Sequence, residues 1–129
     1  MEFDFNRYIE DFNRNDDEST VARYFTEDMV LEGPDRTVHG RQEWLRLLQF
    51  AHAGVRETLR PVMYLRDGDQ AMTEVNAEFT ATVDRPDFPF APLKAGQPLT
   101  MKFFASYRLR GHQIAHLTLA CWLPAMRSV

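Results

Sequence analysis

The stretch LTMKFFASYRLR (Leu99–Arg110), GHQ (Gly111–Gln113) and IAHLTLACWL (Ile114–Leu123) decides the fold of this chain. Apolar and polar side chains alternate along both arms, as is typical of β-strands, because successive side chains point to opposite faces of a sheet. The predicted apolar face consists of Met101, Phe103, Ala105, Tyr107, Leu109, Ala115, Leu117, Leu119, Cys121 and Leu123.

The loop length of this hairpin sets which side chains share a face. A two-residue turn at Gly111-His112 would pair Arg108 with Ala115 and would mix the two faces. A three-residue loop pairs Tyr107 with Leu117 and Arg108 with His116, and it keeps both faces uniform. The sequence therefore predicts a three-residue loop and a sheet with one apolar and one polar face.

Three amphipathic helices are predicted before the long strands. The inward positions, spaced as on one helix face, are Phe5, Tyr8, Ile9 and Phe12 in the first helix, Val21, Ala22, Tyr24 and Phe25 in the second, and Trp44, Leu47, Leu48 and Ala51 in the third. Asp16 or Asp17 is the expected N-cap of the second helix, and Gly54 is suited to the position after the end of the third.

Short strands are predicted at 29–32 and 37–38, and longer ones at 56–66 and 70–84, with an Asp67-Gly68 turn between the long pair. Residues 85–98 contain four of the seven prolines, so we expect a long loop there. If that loop centres near Ala91, Glu74 lies opposite Arg108 and Thr80 lies opposite Lys102. Helices followed by meandering strands indicate an α+β fold, with three N-terminal helices packed on one side of a curved, mostly antiparallel sheet.

The composition limits the class of protein. A chain of 129 residues is expected to form one domain, 1–129, and a net charge of −4 argues against nucleic acid as a partner. With no membrane-length apolar run, no signal-peptide pattern and a single cysteine, we expect a soluble cytoplasmic protein. No Asp or Glu follows Asp87, so the main hairpin cannot supply a carboxylate as a general base.

Several segments, taken in order, resemble the nuclear-transport-factor-2-like superfamily, which includes ketosteroid isomerases and SnoaL-like polyketide cyclases. They are Asn6-Arg-Tyr8, Tyr24-Phe-Thr-Glu-Asp-Met-Val30, Leu31-Glu-Gly-Pro34, His39-Gly40 before the Trp44 helix, and Leu109-Arg-Gly-His-Gln-Ile114. The resemblance implies a cone-shaped, cystatin-like α+β barrel, a pocket for a small hydrophobic molecule, and a homodimer formed through the sheet.

Most of the isomerase site that the resemblance implies is absent from this sequence. Gly33 stands where the family has its catalytic Asp before a proline, and Glu32, one residue earlier, falls on the opposite face. Ala105 replaces the acid that binds the oxyanion, and Phe25 replaces a supporting tyrosine. Only Tyr8 matches, as the oxyanion tyrosine.

Tyr8 and His39 are therefore the catalytic candidates. Tyr8 either donates a hydrogen bond to a ligand oxygen or anchors the core with its hydroxyl satisfied by the protein. His39 either acts as acid or base at a pocket mouth, helped by Asp35, or ties the second short strand to the third helix. Glu32 is expected on a solvated face, with a role as substitute base as the alternative.

We expect neither a metal site nor a cofactor. His112 and His116 lie about 13 Å apart along a strand, too far to share one ion. Cys121 falls in the apolar set, so we expect a buried thiol and no nucleophile. No glycine-rich phosphate loop is present.

The residues expected to line a pocket, or alternatively to fill the core, are Leu31, Trp44, Leu48, Leu59, Met63, Phe79, Phe103, Tyr107, Leu117 and Leu119. Such a wall suits an apolar, oxygenated molecule. The sequence leaves two functions open: a cofactor-independent isomerase, cyclase or dehydratase, or a non-catalytic ligand-binding or accessory dimerisation module. The homodimer is expected to form through the polar sheet face, where Val62, Tyr64, Phe104 and His116 lie among charges.

Overall fold

Three helices precede most of a six-stranded sheet in the computed structural model, which describes residues 2–122. The elements are α1 (Phe5–Asn13), α2 (Asp17–Tyr24), β1 (Phe25–Glu32), β2 (Thr37–His39), α3 (Arg41–His52), β3 (Val55–Asp67), β4 (Gln70–Ala81), β5 (Pro98–Arg110) and β6 (Gln113–Trp122). The strand order is β2-β1-β6-β5-β4-β3. All neighbours are antiparallel except β1 and β6. The predicted α+β class is confirmed.

The sheet is open. Its two edges, β2 and β3, do not pair with each other, so the expected barrel is a curved sheet that wraps the helices without closing. On the wrapped side α1 packs against β3, while α3 packs against β1 and α2. None of the helices within residues 2–122 has the length and hydropathy that a membrane span requires.

The helix predictions hold at most positions. Asp4 caps α1, which buries all four predicted residues, and Asp16 caps α2 by accepting from the Ser19 amide. Gly54, with φ of 68°, lies just past the end of α3 as expected. Ala22 was wrongly predicted to point inward: it is exposed because the buried face of α2 runs through positions 20, 21 and 24. Phe25 begins β1 instead of ending the helix.

The main hairpin has the predicted register but reaches it differently. Tyr107 pairs with Leu117 and Arg108 with His116, which confirms both predicted pairs. Leu109 pairs with Ile114, however, so the turn holds only two residues and Ala115 is the extra residue of a β-bulge. The bulge supplies the odd residue that we had assigned to the loop. Leu123, predicted in the apolar set, lies outside the described residues.

The register between β4 and β5 differs from the prediction. Glu74 lies opposite Phe104 and Thr80 opposite Pro98, in place of Arg108 and Lys102. The cause lies in the proline-rich loop, where a bridge between Arg85 and Leu93 continues the ladder and centres the turn on Pro89 instead of Ala91. The shift is an even number of residues, so every side chain keeps its predicted face.

A second bulge in β3 overturns two predictions. Pro61 pairs with Val75 and Met63 with Glu74, so Val62 is an extra residue and the alternation reverses after it. Met63, predicted on the pocket wall, therefore lies on the outer face and is 42% exposed. Tyr64, predicted on that outer face, turns inward and stacks on Phe5 with ring centroids 4.1 Å apart. A proline, which has no N–H to donate to the ladder, is typical of such a bulge.

The proline-rich loop is tied to the end of α3. The buried Arg85 guanidinium donates through Nη1 to the carbonyl of Ala53 at 2.5 Å and also contacts the Phe50 and Phe88 rings. Phe88 packs edge-on against Phe79 of β4. The loop thus forms an ordered wall at the end of the sheet.

Candidate functional site

A cavity of about 670 Å³ lies between the helices and the wrapped face of the sheet. The predicted wall residues that line it are Leu31, Trp44, Leu48, Leu59, Phe79, Phe103, Tyr107, Leu117 and Leu119. Met63 lines a separate, more open depression formed by residues 2–6 and 61–64. The core is thus built around a space large enough for a small organic molecule.

Tyr8 lines this mostly apolar cavity. Its ring is buried and packs edge-on against Phe12, Tyr24 and Phe25. No hydrogen bond joins the Tyr8 hydroxyl to any of residues 2–122. Burial, the neighbouring Tyr107 and the charge of Glu57 raise its pKa well above the ordinary value, so the hydroxyl stays protonated and available as a donor.

Glu57 on β3 is the charged side chain that sequence reasoning missed. It is 5% exposed and lines the cavity. The alternation of buried Val55, Glu57 and Leu59 with outward Arg56 places its carboxylate inward. A charged residue at an inward strand position was the available signal in the sequence.

His52, the last residue of α3, is hydrogen-bonded to the Glu57 carboxylate. Its Nε2 lies 2.7 Å from Oε1 of Glu57, and its Nδ1 lies 2.8 Å from both carboxylate oxygens of Asp17. All three side chains are almost completely buried. Asp17, His52 and Glu57 therefore form one buried polar chain, which we call the acid–imidazole chain; it runs from the start of α2 to the cavity wall.

Asp17 and Glu57, at the two ends of the acid–imidazole chain, raise the pKa of His52 between them. Burial alone lowers the pKa of His52, but the hydrogen bonds and charges of Asp17 and Glu57 outweigh burial and raise it to about 9. Burial raises the pKa of Glu57, and the hydrogen bond to His52 offsets part of that rise. At neutral pH His52 is therefore an imidazolium, with one N–H directed at Asp17 and the other at Glu57.

Two asparagines fix the backbone that carries Glu57. β3 is an edge strand, and its free edge is occupied by the side-chain amides of Asn13 and Asn15. The Asn15 amide donates to the Glu57 carbonyl and accepts from the Glu57 N–H, both at 3.3 Å. Asn13 makes the same pair of bonds with Leu59, at 2.9 and 2.7 Å. These bonds hold the inward orientation of the Glu57 side chain.

A second buried polar group lies on the helices. The Tyr24 hydroxyl donates to Asp11 at 2.5 Å, and Arg14 and Arg23 pair with the same carboxylate. The Tyr24 hydrogen bond, with the two arginines, lowers the pKa of Asp11 against the effect of burial. Because every member has a protein partner, this group is structural, in contrast to the Tyr8 hydroxyl.

Of the other sequence candidates, His39 and Glu32 lie away from the cavity, and Cys121 lies on its wall. His39 is exposed on β2 and does not line the cavity. Glu32 lies on the outer face, as alternation predicts, with its carboxylate 3.4 Å from His116. Cys121 is half-buried on the wall, and burial, with the charges of Asp35 and Glu57, raises its pKa to about 11. Within residues 2–122 no group of three His, Cys, Asp or Glu side chains could hold a metal ion.

The fold and the cavity define a class of α+β pocket proteins, in which a curved sheet encloses an apolar space under three helices. The SnoaL-like domain profile matches residues 5–117, so this chain belongs to the SnoaL-like domain family. No curated protein matches the chain significantly.

Solved structures agree on the fold. A candidate polyketide cyclase from Xanthomonas campestris pv. campestris is 24% identical, with a TM-score of 0.73 over 87% of this chain and 82% of that one. Another from Pseudomonas putida KT2440 is 19% identical, with a TM-score of 0.75 over 90% and 86%. A nuclear-transport-factor-2-like protein of unknown function from Burkholderia pseudomallei K96243 is 18% identical, with a TM-score of 0.72 over 95% and 90%. At these identities the likeness establishes the fold alone.

The two buried tyrosines of the helices predict different responses to loss of the hydroxyl. Tyr8→Phe should change the free energy of unfolding by less than about 0.5 kcal/mol, because the Tyr8 hydroxyl has no protein partner to lose. Tyr24→Phe should cost about 1.5–3 kcal/mol, because it removes a hydrogen bond to a charged carboxylate. Urea denaturation of both variants tests this, and a Tyr8→Phe cost equal to that of Tyr24→Phe would contradict it.

The acid–imidazole chain also predicts how stability depends on pH. His52 has a pKa of about 9 when folded and about 6.5 when unfolded, so the folded protein retains a proton that the unfolded chain releases between these values. Its contribution is complete below pH 6.5 and disappears as the pH rises through 9. The free energy of unfolding should fall by about 2–3 kcal/mol between pH 6 and pH 9. In His52→Gln this fall should be absent; an equal fall in both proteins would assign it to other groups.

Proposed function

We propose that this protein binds a small, hydrophobic, oxygenated molecule in the cavity and transforms it without a metal or nucleotide cofactor, as an isomerase, cyclase or dehydratase. One observation carries the proposal: the Tyr8 hydroxyl and the Glu57 carboxylate meet an apolar cavity in which the hydroxyl has no protein partner. A few polar groups in an apolar cavity are the usual arrangement for orienting a ligand.

The composition of the wall supports an apolar ligand skeleton. Side chains from α3 and from five strands contribute leucine, phenylalanine and tryptophan surfaces, of which Leu48, Phe103 and Trp44 are examples. Tyr8 supplies the hydrogen bond for a carbonyl or phenolic oxygen, which in an apolar cavity is stronger than the same bond in water. The candidate polyketide cyclases among the structural neighbours are consistent with an oxygenated ligand.

A non-catalytic ligand carrier is the second candidate. It is favoured by Gly33 and Ala105, which line the cavity without an acid or base at two positions where the isomerase pattern has one. Turnover separates the two candidates, since a carrier binds the molecule and leaves it unchanged.

We further propose a homodimer formed through the outer face of the sheet, in the cytoplasm. The outer face carries exposed Met63, Leu65, Met72 and Phe104 on neighbouring strands, and this is more apolar surface than a solvated face requires. The absence of a paired cysteine and of a membrane-spanning helix among residues 2–122 is consistent with this location.

Ligand binding is tested with 2-tetralone, a bicyclic ketone that is apolar apart from one carbonyl. We expect a Kd of about 100 µM, or about 0.5 kcal/mol per non-hydrogen atom, measured by calorimetry. Ala105→Leu, on the cavity wall, should weaken binding at least tenfold, whereas Ser106→Leu, on the outer face of the same strand, should not. Binding that is equal in both variants, or absent from the wild type, would refute the proposal.

A further inference from the structure

We propose that Glu57 is the general base of this cavity and that it removes a proton from a carbon atom next to a carbonyl group of the bound molecule. The inference rests on the proposed function, because it requires a carbonyl compound in the cavity, and it adds the reacting residue and the reaction class.

Two carboxylates line the cavity, and only one is placed for this role. The Asp35 side chain is 76% exposed and lies beside Arg36. The Glu57 side chain is 7% exposed and lines the cavity. A carboxylate deprived of water is a stronger base than one in solution, because burial destabilises its charged form.

The hydrogen bonds of Glu57 leave one oxygen free. Oε1 lies 2.7 Å from Nε2 of His52, while no hydrogen bond joins Oε2 to any of residues 2–122. Tyr8 approaches from α1, and the charge of Glu57 contributes to the raised pKa of its hydroxyl. The cavity is therefore lined by both a proton acceptor, Glu57, and a hydrogen-bond donor, Tyr8.

His52 acts as a positioning residue. With Nδ1 bonded to Asp17, its second N–H holds Oε1 in place, so Oε2 is the oxygen left to accept a proton. A neutral His52 carries a single N–H; when Nδ1 keeps it for Asp17, Nε2 presents a lone pair to Oε1 and the bond that orients the carboxylate is lost. The alignment of the base therefore depends on the charge of a residue that does not touch the ligand.

The proposed step needs no oxidant and no further reactant. The bond between the α-carbon and its hydrogen breaks, and the electron pair forms a carbon–carbon double bond while the carbonyl π pair moves to oxygen. The proton forms an O–H bond with Oε2 of Glu57, and the Tyr8 hydroxyl donates a hydrogen bond to the enolate oxygen. Glu57 then returns the proton to the same carbon, which exchanges its hydrogen. Where a carbon–carbon double bond is conjugated with the enolate, the proton is returned instead to the far carbon of that double bond, and the net reaction is an isomerisation.

This chemistry narrows the class of substrate. A carboxylate is a weak base for the α-carbon of a simple ketone, so the substrate needs a more acidic carbon–hydrogen bond. A carbon between two carbonyl groups, or between a carbonyl group and an aromatic ring, meets this requirement. The apolar wall around Glu57 favours the aromatic or polycyclic members of that class.

The titratable groups that face Glu57 predict the shape of the pH profile. They are Tyr8 on α1, Asp17 on α2, His52 on α3 and Cys121 on β6. The pKa values of Tyr8 and Cys121 are both raised, that of Cys121 to about 11, so neither changes charge below pH 9. Activity should rise as Glu57 ionises and fall near pH 9 as His52 loses its proton.

The test uses proton NMR to measure the rate at which the acidic C1 hydrogens of 2-tetralone exchange for deuterium in D2O. The Kd of the same compound is measured by calorimetry. We expect Glu57→Gln to slow the protein-dependent exchange at least 100-fold while the Kd changes less than threefold. Glu78→Gln, the same substitution at a partly exposed surface position, should exchange at the wild-type rate. His52→Gln should lose the fall in rate near pH 9, an effect that a purely structural role would not produce.

Each failure has a distinct meaning. If the wild type binds 2-tetralone and Glu57→Gln exchanges it equally fast, Glu57 is not the base, and the binding proposal stands. If the wild type does not bind it, the proposed function and this inference both fall. Should Glu57→Gln not fold by circular dichroism, Glu57→Asp keeps the charge but withdraws the carboxylate by one methylene; unchanged exchange in that variant would overturn the inference.

Discussion

The buried acid–imidazole chain of Asp17, His52 and Glu57 is the constraint on which the rest of the site depends. It joins the start of α2 to the end of α3 and the first residues of the edge strand β3, and its Asp17–His52 link spans 35 residues of sequence. Removing three charges from water is costly, and apolar side chains of similar size would often give equal or greater stability. The chain keeps one carboxylate oriented at a cavity, and that orientation is what an apolar replacement could not provide.

The cavity itself follows from the shape of the sheet. The open, curved sheet and the three helices enclose more volume than their side chains fill, and large aromatic residues line the gap instead of closing it. The proline-rich loop, fixed to the end of α3 through Arg85, completes the wall with Phe90. Polar groups enter this space from α1 and β3, so the donor of Tyr8 and the acceptor of Glu57 come from different layers of the fold.

Alternation and helical spacing in the sequence predicted much of the fold, because a half-buried strand or helix must place apolar side chains at regular intervals. They gave the helices, the pairing of Tyr107 with Leu117 and the face of nearly every strand. These patterns failed where the strands are irregular. The bulge at Val62 reverses the faces of Met63 and Tyr64, and the bridge between Arg85 and Leu93 gives β4 and β5 a register different from the predicted one. Glu57 was missed because its partners, His52 and Asp17, come together only through the turn at Gly54 and the packing of α2 on α3.

The protonation state of His52 tests this account most directly. An NMR titration of the four histidine rings, with the His52 signal assigned by its absence from His52→Gln, measures that state without any ligand. The account predicts that the His52 signal titrates near pH 9. A His52 pKa at or below the ordinary value of about 6.5 would show that no charged imidazole lies between the two carboxylates, and it would contradict the account.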